Sequence, residues 1–406
     1  MHERAVQRQL GLLLALSGGA LLATATTIGI TPFLLDMARD LDADLAAAGN
    51  LVAIQSLAWG AASVFAGAAS DRFGRRPILA LGCLLLAISG IGVAIADSYA
   101  AVALWRLLGG IGGGAYMGTV FATVSDHVAP AHRGRSLGWV MTGQSVALVL
   151  GVPAMTLAGA AAGWRGAVLV HAVAMLGGSV LVWFAVPHGR ARHTQAPLSG
   201  RALTQLVGPR VLALLLSGTA ERVCYSAFAV FLPTYLLIQF SIDPPTLAIG
   251  LALVAVGNFI GNVLGGQLTD RLRAPQLVIV GSMVLAGLLA VPVLSWSPSV
   301  AVAVALGFAY TLANAASRPA VYALLSNVSA EARGAVLGLN VTFASVGWLA
   351  ATILGGYVVS TAGFGALGVL TLCCGLVGAV LALAHWRWPR PRGERAPSMI
   401  VAPGER

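Results

Sequence analysis

Of the 14 acidic residues in this 406-residue chain, Glu221 alone lies deep within an apolar run, that of residues 211–238. It sits ten residues in, roughly 15 Å at ~1.5 Å per residue and close to the middle of a bilayer's hydrocarbon layer. An ionisable group at that depth is costly and marks a functional position by default. A carboxyl there can take up and release a proton repeatedly. Arg318, about nine residues from the end of the apolar run 299–327 and so roughly 13 Å deep, is its expected counter-charge. Two readings of that pair are open, a static structural ion pair and a working proton or ligand site. Arg222 directly follows Glu221 but projects about 100° away on a helix, so it is expected to use another partner or to reach a headgroup region. Arg106, about seven residues into the run 99–125, is a third buried cation. Asp36, at the end of the run 10–35, is the acidic residue nearest to it in depth.

The elements that must hold these groups are hydrophobic helices. The chain is 58% hydrophobic and 9% charged, against about 25% charged in a soluble protein, and its mean hydropathy is +0.87. Runs of the roughly 20 apolar residues that cross a bilayer fall at 10–35, 46–69, 77–96, 99–125, 136–160, 166–186, 211–238, 246–268, 275–295, 299–327, 335–360 and 364–386. The fold class is therefore an all-α polytopic membrane protein of twelve helices. Runs this long exclude a barrel of short alternating strands. The basic N-terminal residues followed by an apolar stretch resemble a signal peptide, but the run is too long for one, and an uncleaved first helix is expected.

All 24 basic residues are Arg. With both termini inside, 19 fall on the inner face, two (Arg39, Arg165) outside, and three (Arg106, Arg222, Arg318) within spans. This bias places both termini in the cytoplasm. It also accounts for the net charge of +10, so no nucleic-acid binding is expected. Residues 187–210 read as a cytoplasmic linker between a bundle over 1–186 and a second over 211–388, with 389–406 a disordered tail. Cys83, Cys224, Cys373 and Cys374 all fall in apolar runs, with no metal or disulfide spacing. They read as small core residues.

Two charged turns repeat. Gly67-Ala-Ala-Ser-Asp71-Arg72-Phe-Gly74-Arg75-Arg76 returns as Gly266-Gln-Leu-Thr-Asp270-Arg271, and Arg133-Gly134-Arg-Ser-Leu137-Gly138 returns 200 residues later as Arg333-Gly334-Ala-Val-Leu337-Gly338. Charged loops repeating in order between apolar helices imply two parallel halves. Membrane proteins built this way place a ligand where the repeats meet.

These residues resemble the major facilitator superfamily, twelve-helix type. Helix 4 carries Arg106-Leu-Leu-Gly109-Gly-Ile-Gly112, helix 5 carries Gly143-Gln-Ser-Val-Ala-Leu-Val-Leu-Gly151-Val-Pro153, and Gly163-Trp164-Arg165 precedes helix 6. The helix 5 segment is similar to the motif of proton-driven antiporters, in a Gly-x-Pro order closer to sugar-efflux and drug-efflux members. The resemblance implies that Asp71, Arg72, Gly74, Arg75 and Arg76, with the weaker copy Asp270 and Arg271, make charged contacts that gate the two halves; a loop that only sets topology is the alternative. It further implies that Arg106, with Asp36 as the acidic candidate, assists proton transfer, against a packing role. It places helices 7 and 10 on a central cavity, where Tyr116, Gln144, Tyr225, Asn258, Asn262, Tyr310, Asn314 and Arg318 are candidate cargo contacts. Asn258/Asn262 and Asn314/Arg318 are i,i+4 pairs that share a face, with plain interhelical hydrogen bonding as the alternative.

The functional expectation is a proton-coupled secondary transporter that exports a small organic molecule by alternating access, with protons as coupling ion. The alternatives are uptake of a small metabolite such as an organic acid, with Arg318 or Arg222 on its carboxylate, and a sensor that keeps the fold. No enzyme signature, phosphate-cradling loop or metal cluster is visible in the sequence, so no cofactor is expected. A monomer in a bacterial cytoplasmic membrane is expected.

Overall fold

The computed structural model describes residues 2–128, 133–187, 208–272, 274–326 and 333–387. Most of the expected linker, the tail, and the side chains of the Arg133 and Arg333 turns lie outside the described residues. All regular structure among the described residues is helical. In chain order it comprises α1 (His2–Ile28), a 3-10 turn (Thr31–Phe33), α2 (Leu34–Asp40), α3 (Leu45–Phe73), α4 (Arg75–Ile95) and α5 (Tyr99–His127). Then follow α6 (Arg133–Val146), a π turn (Ala147–Gly151), α7 (Val152–Ala185), α8 (Pro209–Phe240), α9 (Pro244–Arg271), α10 (Pro275–Ser295), α11 (Val300–Ala315), α12 (Ser317–Ser326) and α13 (Arg333–Arg387).

Ten described helices, counted through their short breaks, are long and apolar enough to cross a membrane. Two of them, Gly138–Ala185 and Leu339–Arg387, have 48 and 49 residues, over twice a crossing at about 20 residues each. Each is interrupted once, at Gly163 (φ 69°) and at Gly363 (φ 79°). Only glycine takes that backbone without strain. The two glycines are 200 residues apart, so the break is itself part of the repeat. Pro153 explains the π turn just before it: a proline has no N–H to give back along the helix, and the ladder loosens by one residue.

The buried apolar residues divide unevenly along the length of the helices. At the end remote from the Asp71 turn they form one cluster fed by both halves, including Ile28, Phe33, Leu51, Val152 and Trp164 from the first and Phe228, Phe231, Leu247, Val254 and Leu367 from the second. At the Asp71 end there are two separate clusters. One holds Leu12, Leu79, Leu86, Val124 and Met175; the other holds Leu214, Ile279, Met283, Leu325 and Ala382. The bundles are thus fused at one end and parted at the other. Small residues make the fusion close, as lipid-embedded packing requires. An added Cβ at Gly49 would lie 3.2 Å from the Phe231 ring, one at Gly60 would meet Ser345 Cβ at 2.5 Å, and one at Gly356 would lie 3.1 Å from Ala46.

Candidate functional site

Glu221 is buried on α8 and its carboxylate is engaged from two sides. Arg318 Nε, on α12, donates to Oε1 at 2.9 Å, and Arg222 Nη2 lies 3.3 Å from Oε2. The expected Glu221–Arg318 pairing is therefore a contact. The expectation for Arg222 is corrected. Its Cα points away from Glu221, but its long flexible stem turns the guanidinium back to the neighbouring carboxylate. Both guanidinium groups also cover the Tyr225 ring, Arg318 at 4.4 Å and Arg222 at 5.8 Å, as cation–π geometry favours. Trp348, on α13, meets the same ring edge-on at 6.0 Å.

Asn258, on α9, completes the cluster. Its Oδ1 accepts from Arg318 Nη1 at 3.3 Å and from Asn262 Nδ2 at 3.2 Å. The i,i+4 pair thus works as a unit that steadies Arg318. Gly257, Gly261 and Gly265 bring this face of α9 onto the backbone of α11 and its exit at Ala316. Asn314 is fully buried, and neither amide atom has a hydrogen-bond partner among the described residues. Beyond Tyr225 and Asn258 lies a cavity of about 60 Å³ between the halves, lined by Ile28, Leu148, Val152, Phe228, Leu251 and Thr311 among others.

Three of the expected cavity residues are engaged elsewhere. Tyr116 OH donates to Leu16 O and Tyr310 OH to Cys224 O, both at 2.8 Å and both rings fully buried. A buried phenol seeks a carbonyl, and here the two tyrosines clamp equivalent helix pairs, one in each half. Gln144 Nε2 faces Met117 Sδ at 3.8 Å within the first half. Gly143 permits α6 to lie against the Ser17 backbone, and Gly151 falls in the π turn against Ala25.

Arg106 has no carboxylate partner among the described residues. Its guanidinium donates to Thr26 O (2.8 Å), Thr27 O (3.1 Å) and Leu51 O (3.2 Å). The first two belong to the C-terminal turn of α1, whose carbonyls have no partner within the helix. A cation there also suits the helix dipole. Asp36 is exposed on α2 and does not pair with Arg106, because the chain breaks at Gly29 and turns Asp36 outward. His171, missed by sequence reading, bonds Thr26 Oγ1 at 2.9 Å and joins the same break.

At the charged turn, Gly74 has φ 96°, which lets α4 begin immediately after α3 ends. Arg75 is buried beside Asp71 (2.6 Å, an ion pair rather than an aligned hydrogen bond) and donates to Asp126 Oδ2 (2.8 Å) and to Ser70 Oγ. Arg76 stacks on Trp183 at 4.3 Å. The partners of Arg75 named here all lie in the first half, so the expected contact across the halves is not made by Arg75 among the described residues. Asp126 and Trp183 were missed because each stands at a helix end, where a lone residue carries no signal. Arg72, Asp270 and Arg271 are exposed, and Gly67 O accepts from Ser70 Oγ at 2.8 Å. At the other end Asp40 holds Trp164 Nε1 (2.8 Å) and Arg165 (2.7 Å). Of the cysteines, Cys83 and Cys224 are buried, whereas Cys373 is exposed rather than in the core because it faces outward from α13.

The family model described as Major Facilitator Superfamily matches residues 16–306 and 214–402, and the chain belongs to that superfamily. It is a multi-pass membrane protein and a secondary transporter, not an enzyme. It is 28% identical over 352 residues to a chloramphenicol resistance protein of Streptomyces lividans, covering 82% of this chain and 88% of that one. It is 27% identical over 355 residues to the inner membrane transport protein YdhP of Escherichia coli, covering 87% and 90%. Among solved structures, the inward-open conformation of the xylose transporter XylE from E. coli superposes with a TM-score of 0.75 at 20% identity, over 96% of this chain and 99% of that one.

Proposed function

We propose that the chain is a proton-coupled exporter of a small organic molecule, a monomer with twelve crossings and both termini in the cytoplasm of a bacterial cell. The observation that carries proton coupling is the buried carboxylate of Glu221 between two arginines. A proton on Glu221 cancels its charge and releases both guanidinium groups, a change large enough to bias a two-state equilibrium. Export rests on similarity to the chloramphenicol resistance protein. On this orientation the parted Asp71 end faces the cytoplasm, so the molecule is open inward and sealed outward. The Arg75 network holds the cytoplasmic end of the first bundle as a rigid gate post.

A second reading, proton-coupled uptake of an organic acid, is favoured by one observation: two guanidinium groups serve a single carboxylate. A proton on Glu221 would free them for the carboxylate of a cargo, so that proton and acid load together. Reconstitution into liposomes with an imposed pH gradient tests both. Transport that ignores the gradient removes proton coupling, and the direction of gradient-driven accumulation decides between export and uptake.

A further inference from the structure

We propose that the cargo carries a carboxylate and that Arg318, Asn258 and Asn314 form its docking point. This rests on reading the Glu221 cluster as the cargo site and holds for either direction of travel. The first argument is charge. Arg222 and Arg318 face one carboxylate, so the cluster carries one excess positive charge, although the two arginine side chains are only 17% and 13% exposed. Neither arginine pairs with any second carboxylate among the described residues. A low-dielectric site holding unbalanced charge is costly unless an anion balances it.

The second argument is the disposition of hydrogen-bond donors. Arg318 uses Nε on Glu221 and Nη1 on Asn258, while its Nη2 is buried without a hydrogen-bond partner. Asn258 Nδ2 and Arg222 Nε are in the same condition, as are both amide atoms of Asn314. Asn314 stands one turn from Tyr310, which reaches Cys224 O on α8, and one turn from Arg318, which reaches Glu221 on α8. It therefore lies between two residues that face the same helix. A guanidinium edge with amide N–H groups beside it matches the two oxygens of a carboxylate. Neutral or cationic cargo would gain nothing from the excess charge. The cavity past Tyr225, walled by Leu148, Val152, Phe228 and Leu251, offers the remainder of the molecule an apolar bed. At about 60 Å³ it has room for only about two waters, so an organic body enters as the bundles shift.

The test uses the full chain, purified in detergent and in liposomes, with benzoate and 4-phenylbutyrate against their amides and the corresponding amines. The acids are expected to raise the unfolding temperature and to exchange across the bilayer, with the amides and amines binding at least about tenfold more weakly. Asn314→Leu removes two unpartnered polar atoms at similar volume. Its unliganded melting temperature is expected to equal or exceed that of the wild type, while acid affinity falls about tenfold. Asn258→Leu also takes an acceptor from Arg318 Nη1 and so should melt lower than the wild type; its loss of acid affinity, read at a temperature where it is folded, keeps the question open to test should Asn314→Leu not fold. Equal binding of amides or amines overturns the inference, as does undiminished acid binding in both variants. Acid binding with gradient-independent transport would instead sink the proton reading and leave this one standing.

Discussion

Replacing Glu221 with Gln keeps the shape of the cluster and removes its only negative charge. The carboxylate is 2.9 Å from Arg318 Nε and 3.3 Å from Arg222 Nη2. At an effective dielectric near 20, a charge pair at about 4 Å is worth about 4 kcal/mol, and removing one partner of a buried pair typically costs about 3–5 kcal/mol. Gln retains one oxygen that can accept from Arg318, so the lower figure, about 3 kcal/mol, is expected. At roughly 1.2 °C per kcal/mol for a chain of 406 residues, the unfolding temperature in detergent should fall by about 3–4 °C. Two further readings separate charge from packing. In Glu221→Gln with Arg318→Met no buried cation is left unpaired at position 318, so the double variant should melt above the single one, with a coupling energy of about 2–3 kcal/mol. Benzoate should also stabilise Glu221→Gln more than the wild type, because the competing carboxylate is gone. In transport, the variant should lose gradient-driven accumulation and keep exchange. A variant that melts within a degree of the wild type, gains nothing from benzoate and still accumulates cargo along a pH gradient would refute the whole chain of reasoning.

Arg106→Met strips three carbonyls of their donor at the break of α1; it should lower the unfolding temperature by several degrees, as loss of a charged hydrogen-bond set costing about 2–3 kcal/mol would. Asp36→Asn, at an exposed position, should leave gradient-driven transport within twofold of the wild type in the same vesicles. Arg75→Gln should destabilise by about 3 kcal/mol, whereas Arg72→Gln, exposed on the same turn, should melt like the wild type. Gly60→Val places a side chain against Ser345, whose Cβ is 2.5 Å from the added Cβ. It should part the bundles at the sealed end, read as faster thiol labelling of a cysteine placed at Thr31.

Much of this was legible in the residues because depth in a membrane helix is a linear measure. Counting 1.5 Å per residue was enough to put Glu221 and Arg318 at matching depth, and the paired turns revealed two halves. Angular reasoning was less reliable. The 100° offset of Arg222 describes a Cβ direction, and a side chain as long as arginine reaches back past it to its neighbour. Tyr116 and Tyr310 read as cargo contacts because a polar tip in an apolar run suggests a ligand, yet a carbonyl of the neighbouring helix accepts from each hydroxyl. Asp36 matched Arg106 in depth, but a break at Gly29 that no periodicity announces redirects the chain between them.

The distribution of buried apolar residues changes what the charged turn does. A gate that works by pairing across the halves must find its partner in the other bundle, yet Arg75 is satisfied by Ser70, Asp71 and Asp126 on its own side. Those bonds cross-link α3, α4 and α5 at the end where the two cores are separate, so they can persist while the bundles rock. The surfaces that must part and re-form lie elsewhere, along the seam of Gly49, Gly60 and Gly356, where close backbone approach replaces charge. Such a seam, lined by glycines and their close neighbours, can open at modest cost, while the Glu221 cluster in the second half, beside the cavity that both halves line, holds an excess charge that a cargo can balance.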